Sequence, residues 1–173
     1  MRYEGTEVFF GRDDLIVSKT DMKGRITYAN HTFLDIAGYE EEEVLGQPHN
    51  LIRHKNMPRG VFELFWEKIS KEQEVFAYVV NATKSGDHYW VIAHVTPSYE
   101  NGEVVGFHST RRVPNRQTIE TVIEPLYEEL NQIEAQSSNR KDGVSASYAR
   151  LLEVTGQKAH GYDQFVSSLM WEC

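Results

Sequence analysis

The chain has 173 residues, of which 40% are hydrophobic, enough for one domain with a sizeable core and an appendage. Lys and Arg number 18 against 26 Asp and Glu, a net charge of −8, which argues against a polyanionic partner such as nucleic acid. Cys173, the last residue, is the single cysteine, so the sequence offers no internal disulfide, cysteine metal cluster or buried thiol nucleophile. No apolar run nears the roughly 20 residues that span a bilayer, and the N-terminus lacks a secretory pattern, so the expected location is cytoplasmic with no direct membrane insertion.

Residues 1–14 are polar and mixed around Val8-Phe9-Phe10, and read as an N-terminal cap packing on the domain or on a second subunit. Leu15 to Thr20 reads as a strand, Asp21-Met22-Lys23-Gly24 as a turn whose glycine takes a positive φ, and Arg25 to Ala29 as the returning strand. Asn30 is placed to cap a helix over Thr32 to Ala37, ended by Gly38. Glu40 to Leu45 follows as a further helical turn, its four glutamates at the end where carboxylates complement the dipole.

Gln47 to Pro58 is the densest polar stretch, with His49, Arg53 and His54 around Leu51 and Ile52. It reads either as a pocket lining over a buried apolar pair or as an exposed loop. Arg59 to Ser70 has helical spacing at Val61, Leu64, Phe65 and Ile69, with Trp66 most simply in the core. Val75 to Asn81 is a strand, Lys84-Ser85-Gly86-Asp87 a tight turn, and Tyr89 to Thr96 the second arm of a hairpin. Alternation puts Tyr89, Val91, Ala93 and Val95 on one face, and the small Ala93 leaves room above the sheet for a flat group or a helix contact. Glu100-Asn101-Gly102 turns into a last strand, Val104 to Arg111, and Pro114 ends the sheet.

The expected fold class is therefore α+β, a five-stranded antiparallel sheet with short helices on one face. After Pro114, Ile119, Val122, Ile123, Leu126, Tyr127, Leu130 and Ile133 form an amphipathic stripe that wants a partner surface. Pro125 either kinks this helix or opens a new one. A polar linker over Gln136 to Gly143 leads to two short amphipathic segments split by Gly156 to Gly161, expected to dock on a partner or pair between two copies. The domain reading is residues 1–14 as cap, 15–113 as the α+β domain, and 114–173 as a helical segment for partner or dimer contacts.

Asp21-x-x-Gly24-x-Ile26-x-Tyr28-x-Asn30, Gly38-Tyr39, Gly46-Gln47-Pro48-His49-Asn50, Arg53-His54, Met57-Pro58, Trp66 and Gly86-Asp87-His88-Tyr89-Trp90-Val91 agree in order with one family. Over about Leu15 to Arg112 the chain resembles a PAS domain, and in particular the FAD-binding PAS domain of bacterial aerotaxis, or energy-taxis, receptors. The resemblance continues into Glu124-Pro125-Leu126-Tyr127.

That resemblance implies a redox or oxygen sensor holding FAD, and likens the chain to soluble single-PAS members that signal to a separate membrane-bound methyl-accepting taxis receptor. Asn30, Arg53, His54 and Trp66 match positions tied to flavin binding, and Asn81 matches a strand asparagine that contacts the ring edge in the related LOV domains. Tyr89 and Ala93 would help form the flat slot. Asn56 departs from the pattern, standing where the family carries an aspartate, and the Val75-Phe76 region replaces a strand tryptophan. With no internal cysteine, the LOV adduct chemistry is set aside. Haem on His49, His54, His94 or His108, or a cofactor-free docking module, are the alternatives. No catalytic or metal-site motif is evident, so substrate turnover is not expected.

Overall fold

The computed structural model describes residues 3–159 and 161–171; Cys173 lies outside them. Five strands form one antiparallel sheet: β1 (Ile16–Asp21), β2 (Ile26–Ala29), β3 (Val75–Ala82), β4 (His88–Glu100) and β5 (Glu103–Arg112), in the order β2-β1-β5-β4-β3. Between β2 and β3 come α1 (His31–Ala37), α2 (Glu41–Val44), a 3₁₀ turn (His49–Ile52) and α3 (Arg59–Ser70). After the sheet follow α4 (Arg116–Thr118), a π-helical turn (Ile119–Ile123), α5 (Glu124–Gln136), α6 (Arg140–Ala159) and α7 (Tyr162–Trp171). The α+β class and its five-stranded antiparallel sheet are as the sequence predicts.

Local chemistry sets the first hairpin. Asp21 Oδ1 accepts from the Lys23 and Arg25 backbone N–H groups at 2.8 and 2.9 Å, and Gly24 takes φ 76°. At the start of α1 the Asn30 side chain accepts from Phe33 N–H, and at its end Gly38 takes φ 73° and donates to Leu34 O. Glu40 and Glu43 form a reciprocal capping box on α2.

The register sorts the strands into two faces. Ala77 pairs with Ala93, Ala93 with Arg111, and Arg111 with Ile16, so these four share the inner face; Val95, Ser109 and Ser18 form the next row. Phe33 and Ala37 of α1, Val44 of α2 and Ile52 pack over this face with Ile16, Tyr89 and Val91. Tyr78, Val80 and Trp90 occupy the opposite face.

That opposite face is where the C-terminal helices lie. Tyr127 of α5 sets its ring 5.9 Å from Trp90 and donates its hydroxyl to Tyr78 O. Ile123, Leu126, Leu130, Leu151, Phe165, Val166 and Leu169 join the same core. The amphipathic stripe predicted to meet a partner or a second copy is thus buried within the chain: a sheet face rich in aromatics is the nearest surface able to cover it. The predicted polar linker shrinks to the three residues between α5 and α6, and Gly156 sits inside α6. Pro125 falls in the first turn of α5, where its missing N–H costs no helical bond.

The N-terminal cap pairs with the start of β4, Val8 N–H donating to His88 O and His88 N–H to Thr6 O. Tyr3 packs against His54, His88 and Trp90, and Phe10 meets Tyr89 edge-on, while Phe9 is exposed.

Candidate functional site

A cavity of about 230 Å³ lies between the inner sheet face, the 3₁₀ turn and α3. Its walls are apolar, with Ile52, Phe62, Phe65 and Ile69 opposite Val79, Ala93, Val95 and Phe107. Ala93 is small and nearly buried, and the open space lies over it as the alternation argument predicts. Trp66 is 49% exposed and stands at the rim, its ring end over Gly24, rather than in the core. The turn of α3 carrying Phe65 puts Trp66 beside it, off the buried stripe of Val61, Leu64 and Ile69.

The floor is polar. Arg111 is only 3% exposed, yet among the described residues no carboxylate faces it; its Nη2 donates to Ser18 Oγ at 2.9 Å and to His49 Nε2 at 2.6 Å, and its guanidinium lies over the Phe33 ring. Burial lowers Arg111 to about 10, with the Tyr89 phenol opposing. Loss of solvation, reinforced by Arg111, pushes His49 down to about 3, so its imidazole is neutral. With Nε2 accepting, the ring proton sits on Nδ1.

Three buried polar atoms at this cavity have no hydrogen-bond partner: Asn81 Nδ2, Ser109 Oγ and Arg111 Nη1. Unpaired donors in a buried site are costly, each on the order of 1–3 kcal/mol, and native interiors satisfy nearly all of them. A bound group with acceptors along one edge would satisfy them here. A flavin fits this donor set: an apolar slot for the ring plane, and donors plus one uncompensated positive charge for its carbonyl-bearing edge.

The sequence-predicted residues divide. Arg53, Trp66, Asn81 and Ala93 line the cavity. Asn30 does not; its amide is spent within the fold, accepting from Val17 and Phe33 N–H and donating to Leu15 O. Its match to a flavin position thus coincides with a structural role that the cap spacing alone already explains.

Tyr89 shares the inner face but lies beyond the cavity, fully buried under Phe10, with burial pushing its phenol up to about 12. His54 and Asn56 lie on the far side of the 3₁₀ turn. His54 is buried against Tyr3 and His88, which lowers its affinity for a proton, and Asn56 O accepts from Asn131 of α5. Both border a second cleft or its surroundings rather than the cavity.

Ser109 and Arg111 are the residues that sequence reasoning missed, whereas His49, named there with the polar stretch as a candidate pocket lining, does line the cavity. The available signal was strand parity, since Phe107, Ser109 and Arg111 alternate inward along β5. Of the four histidines considered for haem, only His49 lines the cavity, and its Nε2 faces Arg111; His94 pairs with Glu74 on the outer side. Among the described residues no group of three or more His, Cys, Asp or Glu is placed to hold a metal ion.

Residues 26–111 match the family described as PAS fold. The matched segment has the PAS fold, with its pocket on the inner face of the sheet. The aerotaxis receptor of Escherichia coli (strain K12) is 40% identical over 119 residues, 69% of this chain and 23% of the receptor. A blue-light-activated histidine kinase of Brucella anthropi is 24% identical over 169 residues, 85% of this chain and 34% of the kinase. The chain thus spans about a quarter to a third of these relatives. Solved LOV structures share the fold: one studied with a flavin analogue has a TM-score of 0.57 at 18% identity, covering 66% of this chain and 87% of that one. Aureochrome1 LOV in its light state has a TM-score of 0.55 at 18% identity, covering 66% and 91%. No helix among the described residues is long and apolar enough to cross a membrane.

Proposed function

We propose that the chain is a cytoplasmic redox or oxygen sensor of the energy-taxis type, holding FAD in the inner-face cavity and signalling by contact with a separate membrane-bound taxis receptor. The observation that carries this reading is the convergence of Asn81 Nδ2, Ser109 Oγ and Arg111 Nη1, all buried and unpaired, on one side of an apolar slot. The 40% identity to an aerotaxis receptor supports the same direction.

Bound flavin supplies reversible uptake of electrons. The residues of the chain do the rest. Arg111, buried without a carboxylate, favours negative charge on whatever lies over it, and neutral His49 holds the guanidinium in place. Trp66 at the rim and Phe65 behind it limit water. Asn81 is the responsive group: its Nδ2 lies beside the Tyr89 phenol without a well-formed hydrogen bond, and its backbone bridges to Arg53. On the same strand, three residues earlier, Tyr78 O receives the Tyr127 hydroxyl of α5. A change in hydrogen bonding at Asn81 would shift the population of β3 and, through it, of the helical layer that a receptor contacts.

Titrating cofactor-free protein with FAD and following flavin fluorescence tests this reading. Asn81→Ala should weaken binding by about tenfold, the worth of one hydrogen bond in a buried site, and shift the reduction potential of what remains bound. Identical affinity and potential in wild type and variant would remove Asn81 from the site.

A further inference from the structure

His54 stands where three parts of the chain meet, and it is only 3% exposed. The N-terminal segment reaches it through Tyr3, whose ring centroid lies 5.3 Å from His54, 5.2 Å from His88 and 5.5 Å from Trp90. The two imidazoles are themselves 5.8 Å apart. From α5, Asn131 donates to Asn56 O at 2.7 Å, two residues beyond His54.

The hydrogen bonds fix both tautomers. Asn56 N–H donates to His54 Nδ1 at 3.1 Å, so that nitrogen is bare and the neutral ring carries its proton on Nε2. His88 Nδ1 meets Glu4 O at 3.1 Å, and since a carbonyl only accepts, this nitrogen holds a proton. The two rings therefore differ in what a further proton does. His88 takes one at Nε2 and keeps its bond to Glu4 O. His54 takes one at Nδ1, which turns the acceptor of Asn56 N–H into a second donor and leaves a buried charge facing a buried N–H.

The carboxylates nearest the junction are engaged. A hydrogen bond from Lys55 holds Glu4 below the ordinary value of 4.5, and Asp87, which accepts from Thr6 N–H at 2.8 Å, is held below 3.8 by that bond and by Ser85. Glu7 is paired with Arg116, while Glu124 and Glu128 of α5 face the Tyr3 phenol, Glu124 being raised by burial. Arg53, Arg59, Arg140 and Glu134 surround the cleft that His54 borders. Burial first, then His88 and Lys55, lower the affinity of His54 for a proton, with Glu4 opposing. The Asn56 contact is thus complete above about pH 6.5 and weakens as the pH falls below it.

We propose that His54 is a proton-operated latch joining the N-terminal segment, the turn at Asn56 and α5, so that acidification is an input to this chain. A proton from solvent at Nδ1 breaks the Asn56 bond, and the charged ring is better solvated outside its contact with Tyr3 and His88. Opening loosens Tyr3 from Trp90 and Asn56 from Asn131, and so reaches α5 from both sides. The latch needs no cofactor and stands apart from the flavin reading.

The test compares the full chain as purified with His54→Asn, whose Oδ1 can accept from Asn56 N–H but cannot take a proton. Equal thermal midpoints at about pH 7.5 would verify that the variant keeps the fold. The imidazole ¹⁵N shifts are followed by NMR from about pH 7.5 to about pH 5, with the exchange protection of the Asn56, His88 and Val8 amides corrected for intrinsic rates. In wild type His54 should gain its proton at Nδ1 with a midpoint below 6.5. Protection of the Asn56 amide should fall about tenfold or more over the same interval, His88 and Val8 following, and in His54→Asn by less than about twofold.

A loss in His54→Asn equal to that in wild type overturns the latch and assigns the response to another group, Glu124 first. Should the variant not fold, wild type alone decides. A midpoint for lost protection that coincides with the His54 titration upholds the latch; one that follows His88, or protection that persists to the acid end, overturns it.

Discussion

Arg111 bears most directly on how the pocket works. A buried cation without a carboxylate destabilises the empty protein, and replacing such a group with an apolar one of similar length is commonly neutral or stabilising. Arg111→Met should therefore give a cofactor-free protein with a thermal midpoint at or above that of wild type, and weaken FAD binding by about 10- to 100-fold. A lowered midpoint with unchanged affinity would make Arg111 a structural residue only. His49 gives a pH prediction at the same scale. Its folded value near 3 lies below the ordinary value of 6.5, so on acidification the unfolded chain takes the proton first. This contribution to stability is complete above about pH 6.5 and is lost as pH falls toward 3. His54 and His108 shift in the same direction, each by burial first, and add to the slope. Measured by chemical denaturation without cofactor, His49→Gln should reduce the stability lost between about pH 7 and 5 by ~1–2 kcal/mol. An unchanged pH profile would mean that His49 is solvated in the folded state.

At the scale of elements, the sequence revealed what is local. Asn30, Gly38, Gly24 and the Glu40–Glu43 box act within a few residues, and α3 occupies the interval its apolar spacing predicts. Contacts between distant segments were hidden. Arg111 and His49 are 62 residues apart and meet only because β5 lies beside β1 under the 3₁₀ turn. Arg111 and Arg112 are neighbours in sequence, yet the pleat sends Arg111 inward and leaves Arg112 exposed, while Arg116 pairs with Glu7 and Glu120. Parity likewise put Tyr89 and Ala93 on one face but not at one depth along it. Amphipathicity showed that α5 to α7 needed a surface, without showing that the sheet of the same chain supplies it. One glycine reports on that docking: a Cβ on Gly60 would stand 2.6 Å from Tyr148 N, so α6 lies on the first turn of α3 only because this side chain is absent. Gly60→Ala should force the helices apart at a cost of about 1–3 kcal/mol, read as a lower thermal midpoint and faster hydrogen exchange in α6. Wild-type values for both would mean that α6 does not pack there.

On the scale of the whole molecule, the sheet has two occupied faces with different tasks. The inner face holds a cavity with unpaired donors, and the outer face carries α5 and α7 on Tyr78, Val80 and Trp90. β3 belongs to both, so a ligand at Asn81 and a helix at Tyr78 act on a single strand.

The most direct test is an absorption spectrum of freshly purified protein, before and after dithionite, with the heat-released cofactor identified by chromatography. Flavin bands that bleach on reduction, with FAD in the supernatant, are the predicted result. A Soret band, or a colourless protein that also fails to take up added FAD, would contradict the account; the first would point to the histidines as ligands, the second to a docking module without a cofactor.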